Sequence, residues 1–258
     1  MSRIVANAPA APVSMLGRVL ALLDSVAAAG PLGRGELAAA TGLPPATVNR
    51  IVASLLAERL LAEDAGVLRL GLRLFELGTV AGQAGVTLLD VAGPYLVDLH
   101  GAFGCTAQLA VLDGDAVVYL LKVGSPRQRR LETRVAGRFP PHCTGAGKAL
   151  LAFGALEAVD GVLARLPLAA RTRATITDRP RLLADLRATR RRGYAVDRGE
   201  FQDGMTGVAA PVRAAGRPLA AVTLAGPTEV FDVPRAAHAL RLVAQLIEGR
   251  LGGAGSGR

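Results

Sequence analysis

With 258 residues, 51% of them hydrophobic, the chain has apolar material for one large domain or two of ordinary size, which excludes overall disorder. The net charge of +9 suits a polyanionic partner, yet residues 1–80 carry 7 arginines against 6 acids, so the basic excess lies downstream. Two separated cysteines (Cys105, Cys143) and three dispersed histidines (His100, His142, His238) lack zinc-ligand spacing, and no apolar run approaches the roughly 20 residues of a membrane helix.

Residues 1–13, rich in Ala and Pro and without the apolar core of a secretory signal, read as a loose tail on a reduced, cytoplasmic protein. A helix is expected from about Ser14 to Ala28, with Leu16, Val19, Leu20, Leu23 and Val26 on one face and Gly30-Pro31 ending it. A short helix from Arg34 to Thr41 follows, turning at Gly42. The next helix starts at Pro44-Pro45, where a missing amide costs nothing, and runs to Arg59. Its Val48, Ile51, Val52, Leu55 and Leu56 share one face, and Ala46, Thr47, Asn49, Arg50 and Ser54 share the other.

Two short apolar runs around Asp64, Ala65 and Gly66 predict a hairpin. Leu72, Phe75 and Leu77 continue at helical spacing, predicting a linker helix over 72–87. From Leu88 the pattern becomes mixed: a helix to about His100, then TAQLAVL and AVVYLLK about Asp113-Gly114-Asp115, a strong hairpin signal. Helices are expected at Gly145–Phe153 and Arg181–Arg192, the latter initiated at Thr177 or Asp178 and each followed by strand-like residues. Met205–Val212 and Leu219–Ala225 read as the last strands and Pro234–Leu251 as a closing helix. The class is therefore α+β, an antiparallel sheet flanked by helices, with 252–258 a flexible end.

A helix-turn-helix needs a tight turn and a second helix showing short polar or cationic groups outward. Gly42 supplies the turn, and Thr47, Asn49 and Arg50 the groups, since Asn pairs with adenine and Arg with guanine or phosphate. Arg69 in the hairpin is placed to touch a neighbouring backbone. Spacing alone equally describes an amphipathic helix pair inside an α-helical core. The run Lys122, Arg127, Arg129, Arg130, Arg134 and Arg138, opposed only by Glu132, reads as a mobile solvated loop or a second phosphate-binding surface.

Met15 to about Leu251 resembles the IclR family of transcriptional regulators, through ELAAATGLPPATVNRIVASL, LRLGLRLFELG, CTGAGKALLAF, GYAVDRGE and GMTGVAAPV in that order. The resemblance implies a winged helix-turn-helix over 14–71, the linker helix, and a GAF-like effector domain over 88–251, assembled as dimers or dimers of dimers. It puts Pro45, Ala46, Thr47, Asn49, Arg50, Ser54 and Arg69 against double-stranded DNA. Pro45 and Ala46 stand where the family commonly has a cation and a Ser, and Asn49 where it often has His.

The same resemblance sets a small-molecule effector, a carboxylic acid, against the sheet beside Gly145 and Ala146, whose position at a helix start suits a carboxylate. It maps further effector contacts to Asp197, Met205, Gly207, Thr223 and Ala225, with Glu200 an acidic neighbour. Gly207 stands in place of a common Cys and Ala225 in place of a hydroxyl, so a larger or less polar ligand than a two-carbon acid is expected, an aromatic carboxylate for example. Without the resemblance, Asp197 and Glu200 read as solvated turn acids. A P-loop at Gly147-Lys148 fails because His142 occupies the position of the required first Gly. Cys143 beside His142 reads as a buried structural thiol, adjacent strand residues facing opposite ways. No cofactor is expected. An architectural DNA-binding protein without ligand, and an enzyme built on the GAF-like domain, are the competing readings.

Overall fold

The chain divides between Gly85 and Val86 into two units. The computed structural model describes residues 14–83, 86–124, 131–154 and 156–254.

In the first unit, α1 (Met15–Ala29) begins where the Ser14 hydroxyl accepts from the Gly17 amide at 3.0 Å and ends at Gly30, φ +85°. After β1 (Leu32–Gly33) come α2 (Arg34–Thr41) and α3 (Pro45–Ala57), separated by Gly42 at φ +66°, a left-handed conformation that costs glycine little. The hairpin of β2 (Leu61–Asp64) and β3 (Val67–Leu70) turns on Ala65 and Gly66, both at positive φ, and β1 adds to its edge in the order β1-β3-β2. Helix α4 (Leu72–Gln83) follows. Leu22, Val26, Leu37, Val48, Ile51, Val52, Leu55 and Leu68 close the core.

The packed face of α1 differs from the expected one. Leu16 and Leu20 are 68% and 49% exposed; α1 packs through Val19, Leu22, Leu23 and Val26, the stripe at i, i+3, i+4 and i+7, which leaves the first two on its flank. The two-residue β1 was missed because it is too short to show a strand period.

The second unit runs α5 (Val86–Phe103), β4 (Thr106–Asp113), β5 (Ala116–Val123), β6 (Arg138–Phe139), α6 (Gly145–Phe153), α7 (Leu156–Arg165), α8 (Arg179–Arg192), β7 (Ala195–Arg198), β8 (Met205–Ala214), β9 (Arg217–Pro227) and α9 (Val233–Ala254). The strands form one sheet, β6-β5-β4-β9-β8-β7, antiparallel at every pairing. Strand alternation gives the sheet two apolar faces. Leu109, Val208, Val222 and Leu224 pack on α5 and α9 through Leu96, Leu99, Ala236 and Leu240. Ala110, Ala209 and Ala221 pack on α6 through Ala146, Ala149 and Leu150. Small alanines on that second face let α6 lie close.

Here too the structure departs from expectation. The unit boundary precedes Val86, and α5 runs from there to Phe103 rather than from Leu88 to His100. Helix α6 leads into a second helix, not a strand, because Val159, Val162 and Leu163 recur at helical spacing and bury against Leu151, Leu182 and Leu186. Helix α9 continues to Ala254, into the segment expected to be flexible. Of the basic run, Lys122 lies on β5, its ammonium on the carbonyls of Leu131 and Thr133, and Arg138 lies on β6, 2.5 Å from Asp113; neither belongs to a solvated loop. Arg127, Arg129 and Arg130, the tails at 1–13 and 255–258, and linker residues 84–85 lie outside the described residues.

Candidate functional site

Each unit holds one candidate arrangement. On α3 the apolar face is consumed by the core, with Val48, Ile51 and Val52 fully buried. The opposite face therefore belongs to solvent: Pro45, Ala46, Asn49, Arg50 and Ser54 are exposed and Thr47 half-buried. Pro44 and Pro45 open the helix without a side-chain cap. The Ser54 hydroxyl donates back to the Arg50 carbonyl at 3.3 Å, which leaves Asn49, Arg50 and Thr47 as the outward hydrogen-bonding side chains of the helix's first two turns. In the hairpin, Arg69 is held by Asp64 at 2.6 Å, so an outside phosphate must compete with that partner.

In the second unit, a small cleft partly open to solvent lies between the sheet and the start of α6. Seven of the eight effector-site candidates line it: Gly145, Ala146, Asp197, Met205, Gly207, Thr223 and Ala225. The eighth, Glu200, does not; its carboxylate turns to Lys148 instead, at 2.5 Å. Gln108, Tyr119, Leu131, Thr133, Thr144 and Phe201 complete much of the wall. Gln108 was legible: it is the one strongly polar side chain within the apolar run TAQLAVL, and its amide donates to Thr133 at 2.7 Å. Tyr119 and Phe201 gave no such signal, since only the fold brings them edge-on to the two sides of Phe139.

The helix start carries the cleft's donors. Thr144 caps α6 by accepting from the Gly147 amide at 3.2 Å, and its carbonyl accepts from Lys148 at 3.0 Å. The amides of Gly145 and Ala146 have no acceptor among the described residues, so two N–H groups at the positive end of a helix dipole open on the cleft. Gly147 permits this geometry: a Cβ there would lie 2.3 Å from the Pro141 backbone.

Across the cleft Asp197 is buried, not solvated. Its Oδ1 accepts from the Glu200 amide at 2.6 Å and the Phe201 amide at 3.3 Å. Burial, then the nearby Glu200 carboxylate, push the Asp197 carboxyl up to about 7, against the pull of those amides and of Lys148. Tyr119 is raised by burial and by the same Asp197. Cys143 is fully buried and pushed up to about 12, chiefly by burial, the state of an inert thiol. It sits with His142 in a turn, not a strand, so their separation follows from turn geometry rather than alternation. Burial also lowers His142, whose Nε2 meets the Ala169 carbonyl at 3.0 Å. Among the described residues no cluster of His, Cys, Asp or Glu has the makings of a metal site. No described helix is long and apolar enough to cross a membrane.

Comparison with known proteins decides the family. The profile of the bacterial transcriptional regulator IclR C-terminal domain matches residues 83–248, and that of the IclR helix-turn-helix domain matches 15–65. The chain belongs to the IclR family of bacterial transcriptional regulators. It is 36% identical, over 81% of its length and 83% of the relative's, to the probable transcriptional regulator SauR of Cupriavidus necator. It is 34% identical to the transcriptional repressor IclR of Escherichia coli, covering 86% of this chain and 84% of that one. Among solved structures, an IclR homologue of Microbacterium hydrocarbonoxydans complexed with 4-hydroxybenzoate superposes with a TM-score of 0.84 at 30% identity, covering 93% of this chain and 100% of the other. The IclR of Thermotoga maritima gives 0.76 at 26% identity, covering 92% and 98%. An N-terminal helix-turn-helix with a C-terminal α+β domain is thus the family's architecture, and its members here are regulators rather than enzymes.

Proposed function

We propose that the chain is a ligand-responsive, sequence-specific DNA-binding regulator of the cytoplasm, and that its C-terminal unit takes an aromatic carboxylate. The observation that carries the ligand reading is the pair of unpartnered amides of Gly145 and Ala146 opening on a cleft whose floor is small at Gly207 and Ala225. An anion suits the helix start, and Gly207 and Ala225 leave more room beside it than a Cys and a hydroxyl would. The complex of an IclR homologue with 4-hydroxybenzoate supports the same ligand class. Pro45, Ala46, Thr47, Asn49, Arg50 and Ser54 face the major groove, with Arg69 reaching a flanking phosphate once released from Asp64.

The protein acts as a homodimer or dimer of dimers, since a single α3 reads too few bases for specificity. Effector binding shifts the population of dimer arrangements, and with it the spacing of the two recognition helices. The test is retardation of the gene's own upstream DNA at low salt, with and without 4-hydroxybenzoate. Retardation altered by the acid is expected; no retardation at any protein concentration overturns the proposal. A thermal-shift screen of carboxylic acids separates a ligand-responsive regulator from a purely architectural one.

A further inference from the structure

Lys148 is the one lysine of α6 and is 1% exposed, yet it has no place in the cleft. An ammonium is removed from water only at considerable cost unless it is paired. Its Nζ lies 2.5 Å from Glu200 and 2.9 Å from Asp185 of α8, so one cation joins α6, α8 and the turn after β7. That turn is tied to its surroundings through Gly199 and Glu200. The Glu200 amide donates to Asp197 at 2.6 Å, the Thr175 hydroxyl donates to the Glu200 carbonyl at 2.6 Å, and the Thr172 hydroxyl donates to the Gly199 carbonyl at 2.6 Å. Glu200 thus links two things at once: its side chain to Lys148, its backbone to the acid wall of the cleft.

We propose that Lys148, through Glu200, is a positioning residue for the effector cleft, holding the 197–201 turn so that Asp197 faces the ligand in one orientation and a balanced electrostatic setting. This rests on the reading of the cleft as an effector site. Asp197 is faced by Glu200 on its own turn, Lys148 of α6, Cys143 before α6 and Tyr119 of β5; Asp185 of α8 acts on Glu200, Arg171 on Cys143, and Lys148 itself on His142. Within that set Lys148 draws the Asp197 proton affinity down and Glu200 drives it up. Neutralising Lys148 raises Asp197 and neutralising Glu200 lowers it by charge alone, so the positioning of the turn is read in ligand affinity beside the titration.

The experiment titrates the full-length protein without ligand, following the Asp197 carboxyl by carbon NMR with Asp197→Asn to assign it, in wild type, Lys148→Met and Glu200→Gln. The expected result is a midpoint raised in K148M and lowered in E200Q, each by about half a pH unit or more. Affinity for 4-hydroxybenzoate at neutral pH then falls roughly tenfold in K148M, where the turn is released. Should K148M not fold, E200Q keeps the test alive, because Gln retains the hydrogen bond to Lys148 and removes only the charge. Unmoved or same-sense midpoints, or wild-type affinity for 4-hydroxybenzoate in a folded K148M, overturn the proposal. Opposite shifts with no binding of 4-hydroxybenzoate or other aromatic acids to wild type leave the positioning intact and count instead against the effector reading.

Discussion

Gly207 of β8 lies directly opposite Ala225 of β9 in the antiparallel register, and both line the cleft. Side chains at paired positions of neighbouring strands share a face of the sheet, so these two residues together set the depth of the floor. A Cβ on Gly207 would meet Asp197 no closer than 3.8 Å, an ordinary contact, so a larger side chain enters the cleft without disturbing the fold. Gly207→Cys is expected to keep its melting temperature and lose roughly tenfold or more in affinity for a ring-bearing acid such as 4-hydroxybenzoate, about 1.4 kcal/mol. Ala225→Ser adds a donor at the same level and is expected to favour small oxo-acids. Calorimetric titration of both variants with 4-hydroxybenzoate and glyoxylate checks this; unchanged preference in the double variant refutes it.

Asp197 gives the cleft a pH dependence whose sign follows from its raised proton affinity. The folded protein binds this proton up to about 7, while the unfolded chain releases it near 3.8, so between those values the folded state holds more protons. Stability therefore falls as pH rises through that window, and is greatest in this respect below it. Asp197→Asn, whose amide oxygen still accepts from Glu200 and Phe201, is expected to differ least from wild type near about pH 4 and to melt well above it near about pH 8. Binding of an anion beside Asp197 weakens as the same carboxyl ionises, by like-charge repulsion, and loses that dependence in the Asn variant. Melting curves and titrations at the two pH values measure both effects.

Local signals made most of this legible before any coordinates. Gly42 with Pro44-Pro45 marked the turn and restart of α3, and Asp113-Gly114-Asp115 the β4–β5 hairpin, because such residues act through their own backbone. Gly145 and Ala146 were placed by the resemblance, and the expected helix start at Gly145 supplied the physical reason. What stayed hidden depends on long-range packing. Nothing near Lys148 in sequence announces Glu200, 52 positions away, or Asp185, and a buried lysine is improbable until its partners are known. Without the resemblance Asp197 reads as a solvated turn acid for the same reason, since the burial that alters its chemistry comes from other elements of the unit.

Gly147 is set against the backbone of Pro141, where an added Cβ would fall 2.3 Å from both Cα and O. Backbone atoms cannot rotate aside, so Gly147→Ala must displace the turn that carries Thr144, the cap of α6. The expected cost is about 2 kcal/mol or more, adding overpacking to a weakened cap. Gly145→Ala meets the Gly207 carbonyl at 3.3 Å, a milder clash relieved by a few tenths of an ångström. Urea denaturation is expected to rank Gly147→Ala well below Gly145→Ala in midpoint. The reverse order would mean that the 141–144 turn yields freely.

On α3 the division between folding and recognition is sharp enough to test by pairs of substitutions. Arg50 and Asn49 are exposed and Val48 between the turns is fully buried, so Arg50→Ala and Asn49→Ala leave the fold intact while Val48→Ala costs about 1–3 kcal/mol of stability. If Arg50 reads a guanine, Arg50→Ala weakens operator binding by about 1–3 kcal/mol and relaxes sequence preference with little change in salt dependence. If it contacts a phosphate instead, the salt slope drops by about 0.9 and affinity falls alike on all sequences. Ala46→Lys supplies a cation at the exposed helix start and is expected to tighten binding to any duplex at low salt, with a steeper slope. Fluorescence anisotropy on operator and scrambled duplexes over a salt series distinguishes these outcomes, and full operator affinity in an Arg50→Ala, Asn49→Ala double variant would remove α3 as the reading helix.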